Sequence, residues 1–140
     1  MDKTVIARTA EEMEEIGIDL ASHLRDGMVI SLVGPLGAGK TTLAKGVAKG
    51  LLITDVVVSP TYLLAREYRG RLPLHHLDAY RVRSLEELLE VGLTELLPPA
   101  HGVTLIEWPE RVDGVLELSD LVIRIDLRDV NERVVSITVP

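Results

Sequence analysis

A chain of 140 residues most simply makes one domain with a true core, so residues 1–140 are read as a single unit. Hydrophobic residues at 46% and charged ones at 26% fit a folded soluble chain, and a net charge of −7 argues against broad, backbone-driven nucleic-acid binding. The absence of cysteine excludes disulfides and thiolate metal sites, and no window nears the ~18 apolar residues of a membrane span.

With no Phe, three Tyr and one Trp, the core must be aliphatic. The first residues, "MDKTVIARTAEEMEEIG", lack the apolar stretch of a signal or transit segment, so the expectation is a cytoplasmic protein with no membrane attachment.

In chain order, "TVIAR" (Thr4 to Arg8) reads as a short strand. Thr9 follows as an N-cap, with Glu12 completing a capping box. Met13, Ile16, Leu20 and Leu24 then recur at helical spacing until "RDG" ends the helix. "MVISLV" (Met28 to Val33) is nearly continuously apolar and suits a buried parallel strand. A helix is expected from about Lys40 to Leu51, despite Gly46.

"VVVS" (Val56 to Ser59) reads as a strand or extended loop ending in the turn "PTY". "LLAREY" and "LPLHHLDAY" read as two strands joined by "RGR", the second aimed at Asp78. Ser84 and Glu87 form a second capping box that opens "SLEELLEVGLTELL", which "PP" stops. "GVTLIEW" is another buried strand, and "LVIRIDL" with "ERVVSITV" has the alternation of an antiparallel hairpin. In that hairpin Leu121, Ile123, Ile125 and Leu127 share a face, as do Val135, Ile137 and Val139. The fold class is therefore α/β.

Between the buried strand and the next helix lies "GPLGAGKTT" (Gly34 to Thr42). Its Gly34-x-x-x-x-Gly39-Lys40-Thr41 spacing is that of a phosphate loop. Glycines let backbone N–H groups face a phosphate unobstructed, and the helix opening at Lys40 adds its positive end. Lys40 supplies a full charge to the β and γ phosphates, and the Thr41 hydroxyl ligates the accompanying Mg²⁺. Thr42 packs or offers a further hydroxyl. Gly34, Leu36, Gly37, Ala38, Gly39, Lys40, Thr41 and Thr42 are thus the expected contacts to a nucleoside triphosphate and Mg²⁺. With the loop in place, the fold becomes a P-loop NTPase three-layer sandwich with a mostly parallel central sheet and an antiparallel C-terminal hairpin.

Such a protein needs an acid at a neighbouring strand end. Glu107, ending "GVTLIE", is assigned to the metal or its water shell; Asp78, ending "LPLHHLD", to orienting or deprotonating the nucleophile. The pattern also admits the reverse, or a plain surface carboxylate in either place. Thr61 in "SPTY" stands where a switch loop senses a γ-phosphate, or where a turn needs a threonine. Arg81 is either a clamp in the same pocket or a surface ion-pair partner. His76 shares a face with Asp78 while His75 points the other way; a strand histidine is commonly structural. Trp108, the one tryptophan, either covers a ligand or packs. Five arginines between Arg66 and Arg83 make either a solvated edge or a contact surface.

"GPLGAGKTT", "SPTY", "HLDAYR" and "LIEWPER", in that order and at these intervals, resemble the TsaE (YjeE) family of small bacterial ATPases over almost the whole chain. Pro35 stands where that family commonly has an acidic residue. The resemblance implies a role in making threonylcarbamoyladenosine at position 37 of tRNAs that read codons beginning with A. It also implies TsaB and TsaD subunits as partners, tRNA being met only through that complex. By motif it places the phosphate site at Leu36 to Thr41, the metal site at Thr41 with Glu107, the catalytic acid at Asp78 and a switch-like loop at Thr61. It places the adenine near Thr9, Ala10 and Arg133. An ATPase of low intrinsic turnover is the leading expectation. A small-molecule kinase and a nucleotide-gated binding module stand as alternatives; the absence of Asn-Lys-x-Asp disfavours guanine.

Overall fold

The structure is a computed structural model describing residues 2–58 and 64–140. Seven strands form one sheet: β1 (Lys3–Ala7), β2 (Val29–Val33), β3 (Ala65–Tyr68), β4 (Leu74–Asp78), β5 (Val103–Glu107), β6 (Leu121–Asp129) and β7 (Glu132–Thr138). Among the described residues four helices accompany them: α1 (Ala10–Ala21), α2 (Lys40–Gly50), α3 (Leu85–Glu90) and α4 (Val115–Leu118). The order across the sheet is β1-β7-β6-β2-β5-β4-β3. Its centre, β6-β2-β5-β4, is parallel, and both flanks are antiparallel.

The alternation of side chains along the strands sorts the core into two layers. Ile30, Leu32, Leu74, Leu105, Ile123 and Ile125 face α1 and α2, together with Met13, Leu20, Leu43 and Val47. Val29, Leu77 and Ile106 face the other way, onto Val82, Leu88, Val112 and Val115. Helices therefore cover both faces, which is why β2 and β5 are buried at every position and read as unbroken apolar runs. The expected three-layer architecture with its antiparallel hairpin is the one observed.

Several boundaries differ from expectation. The first helix ends at Ala21, although Leu24 beyond it is still buried. The segment from Ser84 is not one helix. α3 stops at Glu90, Gly92 takes a left-handed φ of 77°, and a 3-10 turn covers Leu93–Leu96. Leu127 and Val139 are about half exposed, because the ends of the hairpin run past the cover of α1. Val56–Val58 form no strand, and Ser59 to Leu63, including Thr61, lie outside the described residues.

α1 and α2 cross closely because glycines remove the side chains between them. A methyl group on Gly46 would collide with the carbonyl oxygen of Glu14, and one on Gly17 with that of Leu43. This explains a glycine in a helix interior, where it otherwise costs about 1 kcal/mol relative to alanine. Gly46→Ala is expected to lower unfolding free energy in urea by about 1–3 kcal/mol, overpacking outweighing the propensity gained. A variant as stable as the parent would contradict the close crossing.

Candidate functional site

The three helices longer than about one turn do not all begin alike. α1 and α3 are capped by their own hydroxyls: Thr9 Oγ1 accepts from the Glu12 amide at 3.0 Å, and Ser84 Oγ from the Glu87 amide at 3.4 Å. α2 opens at Gly39, which has no side chain to cap it. The first amides of a helix have no intrahelical acceptor, so this end is left for an anion from outside. The loop that delivers the chain there depends on left-handed backbone at Gly37 (φ 76°) and Gly39 (φ 109°), conformations that penalise any Cβ. Gly34 is small for a different reason. A Cβ there would stand 2.9 Å from the Ile125 carbonyl oxygen of β6, which runs alongside.

The loop lies at the carboxyl end of β2, between β5 on one side and β6 on the other, the crevice where α/β sheets receive ligands. A pocket of about 440 Å³ opens there, lined by the loop residues Leu36, Gly37 and Gly39 to Thr42, by Asp78 and Glu107, and by Tyr80, Arg81 and Trp108. A second, of about 290 Å³, shares Gly37, Gly39 and Thr42 with the first and reaches Thr9, Ala10, Met13, Asn131 and Arg133. The predicted residues Lys40, Thr41, Asp78 and Glu107 are thus brought to one pocket. Ala38 is buried beneath the loop and lines the second pocket. Gly34 contributes its carbonyl, which accepts from Lys40 Nζ at 2.8 Å.

Lys40 is 5% exposed, and its Nζ also lies 3.5 Å from the centre of the Trp108 ring. Burial pushes its pKa below the ordinary 10.5, while the carboxylates of Glu107, Glu110 and Asp78 oppose that shift. The indole is held in place by its own backbone, left-handed at φ 59°, and by an edge-to-face contact with Tyr80 at 5.0 Å. Arg111 covers both rings, 4.7 Å from that of Tyr80 and 5.6 Å from that of Trp108. Sequence reasoning left Trp108 open and did not single out Tyr80 or Arg111. Their signal was available in "HLDAYR" and "LIEWPER", where an aromatic follows each acid by one or two positions.

The two carboxylates sit side by side because β4 and β5 pair in parallel with Asp78 opposite Glu107. Each is tied by one oxygen. Asp78 Oδ1 accepts from the Tyr80 amide at 2.9 Å. Glu107 Oε2 accepts from His76 Nε2 at 2.7 Å. His76 is wholly buried, and among the described residues its Nδ1 has no hydrogen-bond partner. An unmet buried polar atom costs about 1–3 kcal/mol. His75 faces the other way and meets the His101 carbonyl oxygen. The arginines from Arg69 to Arg83 fall on either side of β4 in the chain. Arg69 and Arg71 precede β4 while Arg81 and Arg83 follow it, and Arg71 donates to the Ala21 carbonyl oxygen.

Fold and loop together define the class, an α/β protein with a phosphate loop for nucleotides. The family described as "Threonylcarbamoyl adenosine biosynthesis protein TsaE" matches residues 7–135. A relative in Treponema pallidum, named "tRNA threonylcarbamoyladenosine biosynthesis protein TsaE", is 41% identical over 88% of this chain and 89% of its own. A Nostoc protein of the same name is 47% identical over 73% of this chain, which spans 65% of that longer protein. The crystal structure of Bacillus subtilis YdiB superposes with a TM-score of 0.81 at 34% identity, covering 99% of this chain and 86% of that one. The chain belongs to the TsaE family.

The contact between Lys40 and the lone tryptophan has an optical consequence. Lys40→Met is expected to shift Trp108 emission in the ligand-free protein, because a cation over the ring is removed. Lys45→Met, on the exposed side of α2, is expected to leave the spectrum unchanged. Identical spectra for all three proteins would contradict the stacked geometry.

Proposed function

We propose that this chain is a Mg²⁺-dependent ATPase of low intrinsic turnover that supports formation of threonylcarbamoyladenosine on tRNA. The observation that carries the reading is the uncapped start of α2 facing, across one pocket, the paired carboxylates of Asp78 and Glu107. Family membership adds the process, through what the relatives' names say of them. TsaB and TsaD are the partner subunits in this reading, with tRNA engaged through them and the cytoplasm as the compartment. No described helix is long and apolar enough to cross a membrane.

In this scheme the loop residues Gly34, Leu36, Gly37, Ala38 and Gly39 shape the phosphate cradle, and Lys40 exchanges Gly34 and Trp108 for the β and γ phosphates. Thr42 sits where the two pockets meet. The second pocket, at Thr9, Ala10 and Arg133, receives the base. Thr41 and Glu107 would hold Mg²⁺. A hydroxyl and a carboxylate are hard oxygen donors, and so few of them suit an ion that keeps most of its waters and takes the rest of its shell from phosphate. The chemistry it would supply is neutralisation of negative charge on the phosphates. Asp78, its carboxylate pinned by the Tyr80 amide, orients or deprotonates the attacking water. Thr61, outside the described residues, keeps the γ-phosphate-sensing role that the family resemblance gives it.

Lys40→Ala is expected to abolish measurable ATP binding by calorimetry. Asp78→Ala and Glu107→Ala are expected to keep binding but lose roughly 100-fold or more in phosphate release. Near-normal hydrolysis by either acid variant would overturn its role. A phosphorylated acceptor appearing in step with ADP would replace the ATPase reading with a kinase.

A further inference from the structure

Among the described residues, His76 is a buried titratable group that the chemistry above does not use. Its strand, β4, pairs in parallel with β5 so that Asp78 stands opposite Glu107 and His76 opposite Leu105. His76 therefore lies on the same face as both acids, one pleat deeper in the sheet. Its ring is 0% exposed and makes a 2.7 Å hydrogen bond from Nε2 to Glu107 Oε2. Its neighbours on that face, Leu74 and Leu105, are wholly buried aliphatics.

A histidine kept only to fill this core would be a poor choice. Leucine has comparable bulk, suits the neighbours and leaves no unmet nitrogen, whereas Nδ1 has no partner among the described residues. That same imbalance gives the ring a direction. Nε2 faces a carboxylate, which can only accept, so Nε2 carries a hydrogen that points at Glu107. A glutamate has three side-chain torsions, and this one lines the pocket beside a second carboxylate. Free to turn, it would spend much of its time in rotamers that face away from Thr41. Anchoring Oε2 below leaves Oε1 as the oxygen offered to the pocket.

We propose that His76 is a positioning residue for Glu107. Its Nε2–H fixes one carboxylate oxygen from beneath the site, so the other is presented to the metal from a single rotamer. This is the carboxylate counterpart of outer-shell hydrogen bonds to metal-ligating histidines. It rests on the assignment of Glu107 made above, and its test separates the two.

His76→Leu, His76→Asn and His76→Gln are compared with the parent and with Glu107→Ala. Hydrolysis is followed over a Mg²⁺ titration, Mn²⁺ binding in the presence of ADP by electron paramagnetic resonance, and folding by thermal melting. His76→Leu and His76→Asn, which remove the donor or shorten its reach, are expected to lower kcat and weaken Mn²⁺ binding by about 10- to 100-fold. The KM for ATP is expected to change less than about threefold, because the phosphate loop is untouched. His76→Gln places an amide nitrogen near the position of Nε2 and is expected to return both quantities to within about threefold of the parent.

Parent-like kcat and Mn²⁺ affinity in His76→Leu would overturn the inference. So would equal impairment of the Gln and Asn variants, since ring packing rather than the donor would then matter. If the Leu variant does not fold, the Asn and Gln pair, alike in polarity, carries the comparison. Glu107→Ala tells the two failures apart. If it leaves Mn²⁺ binding and hydrolysis intact, Glu107 is not at the metal and both ideas fall. If it impairs them while His76→Leu does not, only the role of His76 falls.

Discussion

The site depends on a helix that begins without a cap. Where α1 and α3 satisfy their first amides with Thr9 and Ser84, α2 starts at a glycine and leaves its positive end unmet. Two left-handed glycines aim that end at the mouth of the parallel sheet, and the fully buried β2 fixes where the loop begins. The crossing of α1 over α2 at Gly17 and Gly46 secures the helix from behind. The same crossing brings the start of α1 to the second pocket, beside the hairpin tip. One close helix contact thus helps place both ends of a nucleotide-sized crevice.

Electrostatics follow from that placement. A lysine at the first position of α2 is buried, and desolvation disfavours its charge while three carboxylates support it. Without an anion, its ammonium is shared between a loop carbonyl and the face of an indole. Both contacts are modest, about 0.5–2 kcal/mol for a cation on an aromatic face, which leaves the ammonium available for the phosphate contact proposed above. The acids opposite are restrained by single hydrogen bonds from their own sheet and turn, which sets their direction before any ligand arrives.

Much of this was legible in the residues. Unbroken apolar runs announced β2 and β5, hydroxyl caps announced α1 and α3, and the glycine spacing announced the loop, because each rests on a local rule. What escaped depended on distant partners. Nothing local says that Gly34 must be bare to let Ile125 pass, or that Gly46 answers Glu14 across a helix crossing. The break at Gly92 was hidden by an apolar pattern that continued through it. His76 showed its face by alternation, but its bond to Glu107 needed the β4–β5 register, and Trp108 showed its contact with Lys40 only once the loop was folded. The arginines between Arg66 and Arg83 looked clustered in sequence, yet β4 falls between Arg71 and Arg81 in the chain.

The central claim is that backbone amides at the start of α2 grip phosphate. Nuclear magnetic resonance of ¹⁵N-labelled protein titrated with ATP and Mg²⁺ reads those amides directly. The account predicts the largest shifts at Gly37, Gly39, Lys40 and Thr41, with smaller ones at Thr9, Ala10 and Asn131. Saturating ATP that left the loop amides unmoved, or that shifted only residues away from both pockets, would contradict it.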